Sequence, residues 1–206
     1  MIRCAQASSP PSPPRPLARE FFMAPTEVVA SRLLGHFLLR RVDGAWLGGP
    51  VVETEAYLEE DPACHAFRGE TARNRSMFGP PGHAYVYLVY GIHHCVNAVC
   101  QPAGRGEAVL IRAIEPWFGK ERLRVNRRVS QDARLVDGPG KICAALAIDR
   151  GLDGIDLCDP GSQLMFAQNP GRARWLGSEE AIRRTPRIGI TRAADLPLRF
   201  VVGNPD

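Results

Sequence analysis

Two β-prone runs separated by one glycine constrain this chain most. Ala84 to Tyr90 (AYVYLVY) is rich in aromatic and β-branched residues, Gly91 supplies a turn, and His93 to Cys100 (HHCVNAVC) returns. Such side chains suit a pleated surface, and a glycine between two such runs reads as a hairpin. The pattern recurs upstream. His36 to Val42 reads as a strand, Asp43-Gly44 as a tight turn and Ala45 to Tyr57 as the returning strand. Ala108 to Ile114 (AVLIRAI) is a further strand, apolar except for Arg112.

Helices fill the intervals. Pro25-Thr26-Glu27 opens a short helix that carries Val28, Val29 and Leu33 and stops at Gly35. A basic helix is expected over about 117 to 130. An apolar one, Lys141 to Ile148, follows the turn Asp137-Gly138-Pro139-Gly140. Residues 59 to 83 form a polar loop. The Gly/Pro-rich C-terminal third is predicted to hold short strands at Arg187–Thr191 and Leu198–Val202. Residues 1 to 18 are mostly Pro/Ser-rich and are expected to be a disordered tail. No repeat or linker divides residues 19 to 206. The expected fold class is α+β: one domain with a curved antiparallel sheet, a protruding β-hairpin and surrounding helices.

Composition narrows the function classes. The apolar fraction of 45% and charged fraction of 23% are those of an ordinary soluble domain. No apolar run approaches the roughly 20 residues that span a bilayer, and the N-terminus lacks an apolar h-region. The expectation is an intracellular, monomeric protein without a membrane partner. Of 26 basic residues only Lys120 and Lys141 are lysines. Arginine's planar fork suits phosphate recognition. A coding bias toward arginine gives the same count, so charge permits a nucleic-acid partner without requiring one. The six cysteines form no C-x-x-C pair, and the adjacent His93, His94 and Cys95 would point to alternate faces of a strand. Core thiols are the expected reading, and no metal site is predicted.

Residues 51 to 100 contain all four tyrosines of the protein. Strand alternation places Val51, Glu53, Glu55 and Tyr57 on one face and Val52, Thr54, Ala56 and Leu58 on the other, which is the expected core face. Two carboxylates and an aromatic ring thus meet, as a site or as a solvated face. Tyr85 and Tyr87 share a face, whereas Tyr90 has the other parity and adjoins Gly91. Tyr87 can therefore line a pocket while Tyr90 and Ile92 ride the hairpin tip, where a wedge between base pairs would sit. A tyrosine packed on its own turn is the alternative. Asn97 lies opposite in the return strand, and its amide needs partners if it is buried. Arg68, Arg73 and Arg75 make the preceding loop basic.

The blocks VETEAY, RNRSMF, PGHAYVYLVYG, VLIRAIEP and GPGKICAALAI occur in that order, with RIGI and PLRF near the end. Together they resemble the alkyladenine (3-methyladenine) DNA glycosylase family over roughly residues 20 to 203. The resemblance implies base-excision repair of double-stranded DNA containing damaged purines. It makes Glu55 the general base that activates water, and Arg112 a group near that water and the phosphate of the flipped nucleotide. Tyr57, His65 and Tyr87 would line the base pocket, Asn97 would crowd the 2-amino group of guanine, and Tyr90 would intercalate. Lys141 follows a Gly-Pro-Gly turn at a helix start, a place suited to phosphate contact.

Hydrolysis is expected to be monofunctional, because a lyase needs an amine near the sugar and only two lysines exist. No metal or organic cofactor is required. Two readings compete. A non-catalytic damaged-DNA-binding protein would not need Glu55. A glycoside or nucleoside hydrolase would place its two carboxylates across a bond, not side by side on one strand.

Overall fold

The computed structural model describes residue 10 and residues 14–130 and 132–203. Strand β1 (Phe37–Val42) turns at Asp43 and Gly44, both with positive φ, into the long β2 (Ala45–Tyr57). β2 is the spine of the sheet. One edge pairs β5 (Glu107–Ile114); the other pairs β1 along residues 45–50 and β8 (Arg199–Val202) along residues 53–55. β3 (Ala84–Val89) and β4 (His93–Cys100) form the predicted hairpin and join through β4 to β5. β6 (Leu164–Ala167) pairs β1, and β7 (Ile182–Thr185) pairs β8. Every pairing is antiparallel, and the result is a curved eight-stranded sheet with four α-helices among the described residues.

Close backbone approach explains the glycines of β2. Gly48 has φ of +131°, and a Cβ there would lie 2.0 Å from Leu38 O; a Cβ on Gly49 would lie 2.0 Å from Glu115 O. Only glycine lets β2 fit between those neighbours.

Helices α1 (Thr26–Leu33) and α3 (Pro139–Leu146) cover the core face of the sheet. α1 is tied to β2 where Thr54 Oγ1 donates to Ala30 O at 2.9 Å. α3 starts with Pro139 in its first turn, where the missing N–H costs nothing, and ends at Ala147 in the left-handed region. α2 (Lys120–Arg127) packs on α3, and the short α4 (Arg172–Leu176) is tied to the turn after α1, where Arg172 Nε donates to Leu34 O at 2.7 Å. No helix among the described residues is long and apolar enough to cross a membrane.

Several expectations are corrected. Val51 is fully buried in the main core with Ala56, not on the face of Glu55. The register against β5 shifts on both sides of Glu53, and this bulge resets the alternation. Arg187–Thr191 is not a strand: Gly189 has φ of +79°, and the N–H of Ile188 is spent on a side chain. The basic helix is shorter than predicted, because Gly119 and Arg128 bound it in left-handed conformations. β6 and β7 were not anticipated. Packing also begins before Arg19: Leu17 is buried, and its N–H donates to Phe166 O at 2.8 Å beside β6. Residues 1–9 and 11–13 of the expected tail lie outside the described residues.

Candidate active site

A second, smaller apolar cluster gathers on the sheet face opposite α1 and α3. Tyr85, Val99 and Ala108 of β3, β4 and β5 meet Cys64, Ala66 and Met77 of the 58–83 loop, and Tyr57, Tyr87 and Phe78 pack against them. The loop is held from within by Asn74. Its Nδ2 donates to His65 O and Gly69 O at 2.9 and 3.1 Å, and its Oδ1 accepts from the N–H and hydroxyl of Thr71. A polar loop thus acquires one fixed shape, and His65 one fixed place.

Above this cluster opens a cavity of about 340 Å³. Tyr57, His65, Tyr85, Tyr87, Asn97 and Arg112 line it, with Arg73, Tyr90, Cys95, Pro139 and the Ile188–Gly189–Ile190 segment at its borders. Tyr85 and Tyr87 are stacked with centroids 5.3 Å apart, and His65 meets Tyr87 edge-on at 4.6 Å. His65 Nδ1 lies 2.9 Å from Tyr85 Oη. Burial, reinforced by the Arg73 charge, lowers the pKa of His65, so the ring is neutral near pH 7. Burial raises the phenols of Tyr57, Tyr85 and Tyr87 well above their ordinary value, so all three stay protonated donors. Asn97 is buried, and its Nδ2 donates to Tyr85 O at 2.9 Å.

Glu55 stands behind this wall with no exposed surface. Its Oε2 accepts from the Tyr57 hydroxyl at 2.9 Å, and its Oε1 accepts from Ile188 N–H at 2.8 Å, with Arg112 Nε 3.4 Å away. Glu53 accepts from Arg112 Nε at 2.7 Å and from Arg199 Nε at 2.6 Å. Two carboxylates and two guanidiniums therefore balance. Burial disfavours the Arg112 cation, but Glu55 and Glu53 outweigh it and hold the group more firmly charged. A carboxylate offers about four acceptor positions, and two of those of Glu55 are filled by hydrogen bonds from Tyr57 and Ile188, so acceptor capacity is left for a further donor.

The hairpin tip projects beside the cavity. Tyr90 is 86% exposed and Ile92 72%. Tyr90 and Gly91 both have positive φ, and Ile92 N–H donates to Val89 O across the turn. Arg68 is exposed in the loop; Arg75 is exposed and pairs with Glu70 at 3.4 Å; Arg73 Nη2 reaches Leu88 O at 3.5 Å. Lys141, at the start of α3, pairs with Asp137 at 2.7 Å, two residues after the cavity-lining Pro139. A larger, more open hollow of about 640 Å³ lies elsewhere, bordered by Phe21, Arg32, His36 and Phe200. None of the predicted site residues borders it.

The structure thus gathers Glu55, Tyr57, His65, Tyr87, Asn97 and Arg112 at one cavity, with Tyr90 at its border. Sequence reading missed Arg199, Asn74, Asp61 and Arg187. Arg187 pairs with the buried Asp61 and places its guanidinium 4.7 Å from the Tyr57 ring centroid. The available signals were the RIGI and PLRF segments, which carry Arg187 and Arg199.

A model of the methylpurine-DNA glycosylase family matches residues 20–205. Among curated relatives, a protein of Koribacter versatilis is 47% identical over 195 residues, covering 92% of this chain and 91% of its own. One of Carboxydothermus hydrogenoformans is 46% identical, covering 91% and 95%, and one of Granulibacter bethesdensis is 49% identical, covering 87% and 81%. Each bears the name "Putative 3-methyladenine DNA glycosylase".

Proposed function

The chain belongs to the methylpurine-DNA glycosylase family, and from that premise we propose that it is a DNA-3-methyladenine glycosylase of base-excision repair. Its substrate is double-stranded DNA carrying alkylated or deaminated purines: 3-methyladenine, and with it hypoxanthine and 7-methylguanine. The observation that carries this reading is a buried carboxylate, Glu55, directly behind an aromatic cavity that opens beside an exposed Tyr90.

A purine in a duplex hides its glycosidic bond, so the nucleotide must be extruded at a cost of a few kcal/mol. Tyr90, with Ile92, fills the gap left in the stack. Stacking on Tyr57 and Tyr87 returns on the order of 1–3 kcal/mol per base. Damaged bases pair and stack poorly, which lowers the extrusion cost, and a cationic methylpurine gains further from the ring faces. Asn97 restricts the cavity against the 2-amino group of guanine. Arg68, Arg73, Arg75 and Lys141 meet phosphates. As the bond to the base breaks, positive charge grows on the sugar. Glu55 stabilises that charge and takes a proton from the attacking water. Arg112 orients that water and the flanking phosphate, and the product is an abasic site and a free base.

The test is base release from methylated duplex DNA and from a hypoxanthine-containing duplex by wild type and Glu55→Gln. Release by the wild type and its loss in the variant support the reading. A variant that excises as fast as the wild type removes Glu55 from the chemistry.

A further inference from the structure

Arg187 and its partner Asp61 are both sealed from solvent, with side chains 0% and 1% exposed. The guanidinium is engaged on several sides at once. Its Nη1 donates to Ala56 O at 3.1 Å and its Nη2 to Ala193 O at 3.4 Å, and it lies over the Tyr57 ring. Tyr57 lines the cavity and Arg187 does not, so the ring separates guanidinium from cavity. The next residue, Ile188, holds Glu55 Oε1 with its backbone N–H. One arginine therefore joins β2, the start of the 58–83 loop and the 186–193 segment, all around one carboxylate.

Stability alone is a poor reason for this arrangement. Buried ion pairs are often replaceable by apolar residues without loss. What apolar residues cannot supply is a set of donors fixed in one plane and aimed at three segments. We propose that Arg187, oriented by Asp61, is a positioning residue for Glu55. It fixes the 186–193 segment against β2, so that Ile188 N–H holds one carboxylate oxygen, and it backs Tyr57, whose hydroxyl holds the other. The proposal rests on Glu55 being the base that activates water. With one partner on each oxygen, the carboxylate of Glu55 is held in one orientation, and its remaining acceptor capacity is aimed with it. A misplacement of about 1 Å in such a group costs on the order of 10²-fold in rate.

Two altered proteins test this beside wild type and Glu55→Gln. The double variant Asp61→Asn/Arg187→Met leaves no orphaned charge, and the asparagine keeps an acceptor for Ala63 N–H. The second protein carries a backbone ester in place of the amide at residue 188, which deletes one N–H and keeps the side chain. Because Ile188 is half exposed, the ester keeps the test alive if the double variant fails to fold. Single-turnover release of methylated purines and binding to a duplex with a tetrahydrofuran abasic analogue are measured for each.

Both are expected to lose about 10- to 100-fold in rate while Kd moves by less than about threefold. A rate within about twofold of wild type in the ester protein, or in the folded double variant, overturns the proposal; so does a parallel fall in rate and affinity, which a merely structural role would give. If Glu55→Gln itself excises at the wild-type rate, the general-base reading has failed. If it is inactive while both altered proteins match wild type, only the positioning role has failed.

Discussion

Glu55 has no exposed surface and three hydrogen-bonding or ionic partners, which decides what its replacement does. Glutamine keeps the size, but its single amide oxygen can replace only one of the two oxygens that accept from Tyr57 and Ile188, and it cannot take a proton from water. We expect Glu55→Gln to slow single-turnover excision by about 10²–10⁴-fold, the usual worth of a general base, with binding to damaged duplex nearly unchanged. Glu53→Gln should be milder, because Glu53 serves Arg112 and Arg199, not the cavity. Asn97→Ser or Asn97→Ala should raise release of unmodified guanine relative to methylated purine; an unchanged ratio in a competition assay would exclude the steric role. Side-chain parity made Glu53, Glu55 and Tyr57 legible as one face. It failed at Val51, because nothing in the sequence marks the bulge at Glu53. Asp61 and Arg187 were illegible for a different reason: the partners are 126 residues apart, and only the tertiary fold joins them.

Among the elements, the β3–β4 hairpin was the most legible and carries the sharpest prediction. Its two runs alternate cleanly, and the tip residues Tyr90 and Gly91 take the left-handed conformation that a tight turn demands. Tyr90 spends backbone strain to stand exposed, where packing gives it nothing back. Tyr90→Ala should therefore weaken binding to a lesion-bearing duplex far more than to a single strand, which has no stack to hold open. Equal losses on both would mean that Tyr90 is no wedge. The β6 segment LMFA escaped notice because it is four apolar residues without alternation, buried on every side. In β7, the arginines of IRRT hid a strand that pairs only at the sheet margin. The Arg187–Thr191 segment misled in the opposite direction. Its alternation imitates a strand, but the N–H that would join a ladder serves Glu55.

For the whole molecule, two forces vary with solution conditions, and each gives a measurable slope. The first is pH. Burial, helped by the Arg172 charge, lowers His36 to about 4. An unfolded His36 takes up its proton near pH 6.5, so between about 6.5 and 4 the unfolded state binds more protons. Stability should be fully present above pH 6.5 and fall as the pH drops through that window, by roughly 3 kcal/mol at most. His36→Gln should flatten this part of a urea-denaturation series; an unchanged slope would assign the acid loss elsewhere.

The second slope is salt. The net charge is only +4, so affinity for DNA depends on which cations are free to displace counterions, not on the total. The structure ranks them. Arg68 and Arg73 are exposed with no ion pair among the described residues, and Arg73 reaches Leu88 O at the cavity border. Arg75 already faces Glu70, and Lys141 faces Asp137. A cation that keeps a carboxylate neighbour releases less counterion when it meets a phosphate. Each full phosphate contact contributes about 0.9 to the slope of log K against log salt concentration. Arg68→Ala and Arg73→Ala should each flatten that slope by close to this amount, whereas Arg75→Ala and Lys141→Ala should flatten it less. Tyr90→Ala should leave it unchanged, since a neutral ring displaces no ions. Binding isotherms at four or more salt concentrations on one lesion-bearing duplex decide the order. If Arg75 and Lys141 contribute as much as Arg68, their carboxylates must swing away when DNA docks. If none of the four changes the slope, the duplex does not lie across this loop and the start of α3.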